Sequence, residues 1–266
     1  MLDSYHRNIN YLRISVTDRC NLRCIYCIPE EGVKLMSHKD ILSFEEIVEV
    51  VKVGVKFGID KVRITGGEPL IRKDIVSLVK MISNIHGITD LSMTTNGILL
   101  EKFALLLKDA GLQRVNISLD TMDSNKYKII TRGGDINEVF AGIKAAQEAG
   151  FSPIKINCVI KDNSAEKDAL AVSHFCKLEN LEIRYIREMD LHKGSFSIVE
   201  GGDGGHCYTC NRLRLTANGN LKPCLFNDLE FNVRQFGIKR AFQKAIVQKP
   251  KCGSKNSKNE FNNIGG

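Results

Sequence analysis

Short β-branched runs alternate along the chain with stretches of helical period. The runs fall at 12–16, 61–65, 90–95, 114–119, 154–160 and 181–186. After the first run, Phe44, Ile47, Val48, Val51 and Val55 step along one helical face. Ile136, Val139, Phe140 and Ile143 repeat the pattern, with Asp135 placed as N-cap, Glu138 three residues later and Gly150 past the end. The segment 99–110 stops at Gly111 in the same manner. Strand–helix units in series predict a parallel sheet with helices outside it. Right-handed crossovers curl such a sheet one way. Six units fall short of the eight of a closed barrel. The expected fold is therefore α/β, a partial, open β/α barrel of about six strand–helix units, with a doubly wound open sheet as the alternative. Either architecture gathers its site at the C-terminal ends of the strands.

The pattern fades after Met189. Residues 190–206 are glycine-rich and end in Gly201-Gly202-Asp203-Gly204-Gly205, which reads as loop or linker. Residues 237–247 read as a helix, and the polar, lysine-rich chain from Lys249 onward is expected to be mobile unless something anchors it. The expected division is a partial barrel over 1–190 and a C-terminal region over 191–266.

Composition narrows the class. The chain has 266 residues, 43% apolar and 26% charged, the proportions of a globular domain large enough to fold without disulfide staples. Lysines break every apolar run before about 18 residues, so no membrane helix is expected. The first twenty residues hold no apolar stretch of a secretory signal, which points to the cytoplasm. A net charge of +7 fits either a mildly basic surface or an anionic partner, nucleic acid or a phosphorylated metabolite. The absence of tryptophan and an aromatic content of 7% argue against nucleic acid.

Nine cysteines are the unusual count. An odd number without an export signal makes a disulfide framework a poor fit. Cys158 and Cys176 fall in a predicted strand and helix and read as small buried residues. Six others form two trios. Cys20-x3-Cys24-x2-Cys27 follows the first strand, and Cys207-x2-Cys210-x13-Cys224 follows the glycine run. Thiolates at such spacing wrap one metal centre, and three are one short of a structural zinc site. A four-iron cluster held by three cysteines leaves one iron open. The bland alternative is zinc with a distant fourth ligand, for which His206 or Cys252 is available at the second trio.

The first trio, followed by Gly66-Gly67-Glu68-Pro69 at the end of the second strand, resembles the radical S-adenosylmethionine superfamily. The second trio, with Asn211-Arg212-Leu213-Arg214-Leu215 inside it and Gly265-Gly266 at the end, resembles one branch, the GTP 3′,8-cyclase family. The resemblance runs from Tyr11 to Gly266. It implies two [4Fe-4S] clusters, held by Cys20, Cys24 and Cys27 and by Cys207, Cys210 and Cys224, with S-adenosyl-L-methionine on the open iron of the first. Tyr26, Gly66, Gly67, Glu68, Ser118 and Met189 would meet that cofactor. Arg13, Arg63, Thr94 and Lys155, with Arg212, Leu213 and Arg214, would hold GTP. Arg212 and Arg214 would also serve catalysis by neutralising charge beside a guanine bound to the second cluster. The implied reaction is reductive cleavage of the sulfonium, hydrogen abstraction at the ribose 3′ carbon and closure onto purine C8. The product would be (8S)-3′,8-cyclo-7,8-dihydroguanosine 5′-triphosphate, the first step toward the molybdenum cofactor. Implied partners are GTP, a reductant protein such as flavodoxin or ferredoxin, and a downstream cyclic pyranopterin monophosphate synthase receiving the product. A homodimer is left open, and neither nucleic acid nor membrane is expected.

The residues meet these demands independently. Glycine permits close backbone approach and Pro69 stiffens the exit. Arginine's fork suits phosphate. Charges on predicted strands would be costly inside a barrel without a partner. One departure stands out: only the short span 190–206 separates Met189 from Cys207, where the family carries more chain. The rival readings are a radical enzyme acting on a peptide or another small molecule, and a zinc-binding nucleic-acid module.

Overall fold

The computed structural model describes residues 1–265. Six strands run parallel: β1 (Tyr11–Ser15), β2 (Lys61–Thr65), β3 (Asp90–Thr95), β4 (Arg114–Ser118), β5 (Ile154–Ile160) and β6 (Glu182–Arg187). A strand that periodicity does not reveal, β7 (Arg212–Leu215), pairs parallel with the free edge of β1. Two antiparallel strands, β8 (Asn220–Lys222) and β9 (Phe231–Asn232), extend that edge, so the sheet order is β6-β5-β4-β3-β2-β1-β7-β8-β9. This is the expected open α/β barrel, enlarged at one edge by the C-terminal region.

The helices follow from local signals. Helix α1 (Phe44–Lys56) starts at Ser43, whose hydroxyl accepts from the Glu46 amide while the Glu46 carboxylate accepts from the Ser43 amide. Helix α2 is Ile75–Ser83, α3 Leu100–Asp109, α4 Ser124–Thr131, α5 Ile136–Glu148 and α6 Lys167–Leu178. Asp135 caps α5 by accepting from the Asn137 amide. The chain ends with α7 (Val233–Phe236), α8 (Ile238–Val247) and a short turn, α9 (Phe261–Ile264).

The two faces of the sheet differ. Leu12, Ile14, Val62, Ile64, Met93, Val115, Ile117, Ile156, Leu213 and Leu215 point to the helical side and are buried in one continuous core. Cys158 and Cys176 lie in the same core. A parallel sheet buried on both faces reads as an unbroken apolar run. Here alternate positions are polar instead: Arg13, Arg63, Ser92, Asn116, Lys155, Asn157, Arg184 and Arg214 share the inner face by strand register. The polar face marks the site.

The segment beyond Lys249 is anchored. Lys249, Asn256, Asn259, Asn262 and Ile264 are buried. Asn256 donates to the Leu225 carbonyl, and its amide donates to the Leu191 carbonyl.

Candidate functional site

The first cysteine loop leaves the C-terminal end of β1. Arg72 donates to the carbonyls of Val16 and Leu42 and so holds the loop's base. Its far end is pinned by Arg132, which donates to the carbonyls of Arg23 and Ile28. Burial pushes the Cys20 thiol up to about 11, with the Glu68 charge adding to it. Burial and neighbouring negative charge push Cys24 and Cys27 up to about 12. Negative charge on three part-buried thiols of one loop is costly, and iron held there would offset that cost. The donor set, three sulfurs on one loop, fits a [4Fe-4S] group with one iron open.

Gly66 and Gly67 have a reason beyond the expected approach to a ligand. The Gly67 amide donates to the Thr17 carbonyl and the Glu68 amide to the Arg19 carbonyl. A Cβ on Gly67 would stand 2.2 Å from the Arg19 carbonyl oxygen. The second motif is therefore zipped to the root of the cysteine loop. Glu68 is fully buried and accepts from the Leu70 amide, the Thr95 hydroxyl and the Asn96 amide. Burial raises its carboxyl to about 7 despite these bonds. Asn96 in turn lies beside Cys20, 3.9 Å from its Sγ.

The Tyr26 hydroxyl donates to Asp120 at 2.7 Å. Asp120 follows β4 and also accepts from the Val159 amide. Burial raises the Asp120 carboxyl to about 6. Ser118 and Thr94 both face the interior, and the Thr94 hydroxyl is buried without a hydrogen-bond partner among the described residues.

A cavity of about 200 Å³ opens beside this region, lined by Arg13, Arg63, Met189, Arg212, Arg214 and the second trio. Register places Arg214, Arg13 and Arg63 side by side on β7, β1 and β2. Like charges directly across a sheet repel. Burial, and after it the neighbouring Arg212 charge, lower the Arg214 guanidinium to about 10. Arg63 leans over the Tyr11 ring at 5.5 Å and donates to Ser92. On the far wall stands Arg184, which sequence reasoning missed. Its Nε is buried without a hydrogen-bond partner among the described residues. The alternation of Glu182, Arg184 and Ile186 on a predicted strand was the available signal.

Three of the expected site residues stand apart from the others. Leu213 packs its side chain in the core, on the face away from the cavity, so only its backbone can reach a ligand there. Lys155 is ion-paired with Glu182 on the neighbouring strand and does not line the cavity. Cys207 is disulfide-bonded to Cys252, which leaves Cys210 and Cys224 as the free thiols of the second trio. Arg7 brackets this pair, its guanidinium donating to the Cys207 and Lys251 carbonyls. Among the described residues, no three His, Cys, Asp or Glu side chains converge in a metal-binding geometry.

The second trio still has a thiolate environment. Burial would push the Cys210 thiol up, but Lys249 and Arg212 outweigh it and hold it at about 7. Lys249 donates to the carbonyls of Arg212 and Pro223, bracketing the two cysteine segments. No local pattern marked Lys249. At the cavity mouth, Gly202 to Gly205 form a wall, and Arg212 donates to the Asp203 carbonyl.

Residues 14–176 match the Radical SAM superfamily and residues 170–259 match Molybdenum Cofactor Synthesis C. The GTP 3′,8-cyclase of Petrotoga mobilis is 41% identical over 302 positions, 94% of each chain. That of Thermodesulfovibrio yellowstonii is 42% identical over 316 positions, 97% of each. Among solved structures, Streptococcus suis SuiB bound to S-adenosylmethionine superposes with a TM-score of 0.66 at 16% identity, over 91% of this chain and 64% of that one. Native anSMEcpe with bound AdoMet gives 0.63 at 15% identity, over 91% and 81%. These two likenesses concern the fold. No helix among the described residues is long and apolar enough to cross a membrane. The family matches span nearly the whole chain and the relatives exceed 40% identity along it, so this protein belongs to the GTP 3′,8-cyclase family of the radical S-adenosylmethionine superfamily.

Proposed function

We propose that this chain cyclises GTP to the 3′,8-cyclo nucleotide that opens molybdenum cofactor biosynthesis. The carrying observation is the row Arg214, Arg13 and Arg63, with Arg184 opposite, in the same cavity as Cys210 and Cys224. Neighbouring strands lie about 4.8 Å apart, so these guanidiniums repel one another and a bound polyanion would lower that repulsion. A triphosphate fits, because each guanidinium can donate two parallel bonds to phosphate.

When bound at Cys20, Cys24 and Cys27, the first [4Fe-4S] cluster supplies the electron for reductive cleavage of S-adenosylmethionine. Gly66, Gly67 and Glu68 hold the loop that carries this centre, and Tyr26 anchors it to Asp120. Ser118 and Met189 position the cofactor toward the cavity. Arg13, Arg63 and Thr94 grip the triphosphate end, and Lys155 joins them after leaving Glu182. Arg212 and Arg214 neutralise charge beside the guanine, which would meet the iron that Cys210, Cys224 and, once reduced, Cys207 would hold. The wall at 202–205 excludes water and so protects reactive species.

In this reading, 1–190 forms the radical-generating barrel and 191–266 the nucleotide end. The enzyme works in the cytoplasm, as a monomer or homodimer, with a flavodoxin or ferredoxin as reductant and cyclic pyranopterin monophosphate synthase downstream. The test is anaerobic protein with reductant and S-adenosylmethionine, with and without GTP. The expected result is 5′-deoxyadenosine only with GTP, together with a cyclised nucleotide. GTP-independent release without any cyclised product would reject the substrate.

A further inference from the structure

Cys252 has no role in the reaction above, yet it is fixed against the second centre. Three contacts fix it. Arg7, buried and ion-paired with Asp3 at 2.7 Å, donates to the Cys207 carbonyl at 2.7 Å, to Lys251 at 3.0 Å and to Pro250 at 2.7 Å. One guanidinium from the N-terminal segment thus clamps the loop before Cys252 to the loop of Cys207. On the other side, the Ser254 amide donates to the Phe226 carbonyl at 2.8 Å. Between them, Gly253 packs so that an added Cβ would stand 3.3 Å from Cys224 Sγ. Cys252 and Cys207 are bonded, with Cα atoms 5.1 Å apart, within the ordinary span of a disulfide.

We propose that Cys252 is a redox gate on the second centre: its thiol competes with iron for Cys207, and the Cys207–Cys252 disulfide keeps iron out of that centre. The inference rests on the reading of Cys207 as a cluster ligand. With Cys207 oxidised, the trio is reduced to Cys210 and Cys224. The oxidant is a low-molecular-weight disulfide. One protein thiolate attacks it, breaking its S–S bond, releasing one small thiol and forming a mixed disulfide. The second protein thiolate then attacks the protein sulfur of that mixed disulfide and releases the second small thiol. The small disulfide is reduced by two electrons and the protein pair is oxidised by two. A dithiol reductant reverses the exchange and returns Cys207 to iron.

The test uses cluster-free full chain. Wild type is treated with oxidised glutathione, and a second portion with dithiothreitol that is then removed. Trypsin separates the peptide of Cys207 and Cys210, residues 194–212, from the Cys252 peptide, residues 252–255, unless a disulfide joins them, and fragmentation between Tyr208 and Thr209 tells which cysteine is joined. The expected result is a joined peptide only in the oxidised portion, lost on reduction. Both portions are then supplied anaerobically with ferrous iron and sulfide. Oxidised wild type should take up about four irons per chain and reduced wild type about eight, whereas Cys252→Ser should take up about eight after either treatment. Absence of the joined peptide, or equal loading of oxidised and reduced wild type at about eight, overturns the gate. Lower iron in reduced Cys252→Ser than in reduced wild type also overturns it, because Cys252 would then be a ligand. Reduced wild type stopping at about four irons would instead refute the second centre itself.

Discussion

Arg214 Nη1 donates to the carbonyl oxygen of Gly265 at 2.6 Å. The same tail reaches the opposite side of the site, where Asn262 donates to the Asp18 carbonyl at 3.0 Å. Gly265 also lies against Thr65 so closely that a Cβ would stand 2.3 Å from Thr65 Cγ2. The tail therefore bridges the root of the first cysteine loop and the arginine row, along a path too narrow for a side chain. Gly266, the other half of the expected tail motif, lies outside the described residues.

Removing Gly265 and Gly266 leaves a buried guanidinium without that acceptor. A lost bond to a charged group costs about 1.5–3 kcal/mol, or roughly a 10- to 100-fold effect if it is felt in the transition state. Cyclised product should fall by at least that factor while S-adenosylmethionine cleavage continues. Product and 5′-deoxyadenosine are measured in one assay. Undiminished cyclisation by the shortened chain would rule out a role for the tail.

Much of this was legible in the sequence. The six parallel strands announce themselves because outward positions such as Leu12, Val62 and Ile117 must be apolar to meet the helices. The first trio is legible because its three cysteines sit on one loop. Arg184 was legible in principle, as a charge at an inward position of a predicted strand. Strand β7 was not, since Arg212–Leu215 is too short to show a period and pairs with residues about 200 positions away, Tyr11 with Arg212 among them. Lys249 and Arg7 were equally hidden, because what defines them is carbonyls and thiols brought near by tertiary packing, and Cys252 was legible only as a spare ligand for the second trio.

Arg184 faces the cavity with its Nε unsatisfied among the described residues, so a bound phosphate would gain a ready donor. Arg184→Ala should weaken GTP binding about 10- to 100-fold, on the energy of a hydrogen bond to a charged group. Arg184→Lys should recover only part of it, lacking the fork. Iron content should not change. GTP titration followed by calorimetry reads the effect, and unaltered affinity in Arg184→Ala would remove this residue from the substrate contacts.

Asp3 couples pH to the C-terminal loop through Arg7. Burial would raise its carboxyl, but bonds from the Arg7 and Tyr5 amides and the Arg7 guanidinium outweigh it and hold the carboxyl below its ordinary value. A carboxylate depressed in the folded state adds stability above its unfolded value of about 3.9, and that stability is lost as pH falls through the folded value. Asp3→Asn should cost about 1–3 kcal/mol at pH 7. The gap from wild type should close below about pH 4. Urea midpoints at several pH values test this, and a gap that persists unchanged into acid would show that the charge is not responsible.

The short span between Met189 and Cys207 still walls the cavity. Glu200 pairs with Tyr185 on the free edge of β6, exchanging backbone bonds of 3.0 and 3.2 Å. The chain then turns back through Gly205, whose φ of +85° places a would-be Cβ 2.2 Å from the Ser197 carbonyl oxygen. Gly205→Ala must therefore move the wall, on top of about 1–2 kcal/mol for a left-handed side chain. Gly150→Ala is the control, because Gly150 has a φ of +75° but open space around its Cβ position. If the strap keeps water from the reaction, Gly205→Ala should release several-fold more 5′-deoxyadenosine per cyclised product, with iron content preserved. Gly150→Ala should keep the wild-type ratio. Equal ratios in both variants would mean that the seal lies elsewhere.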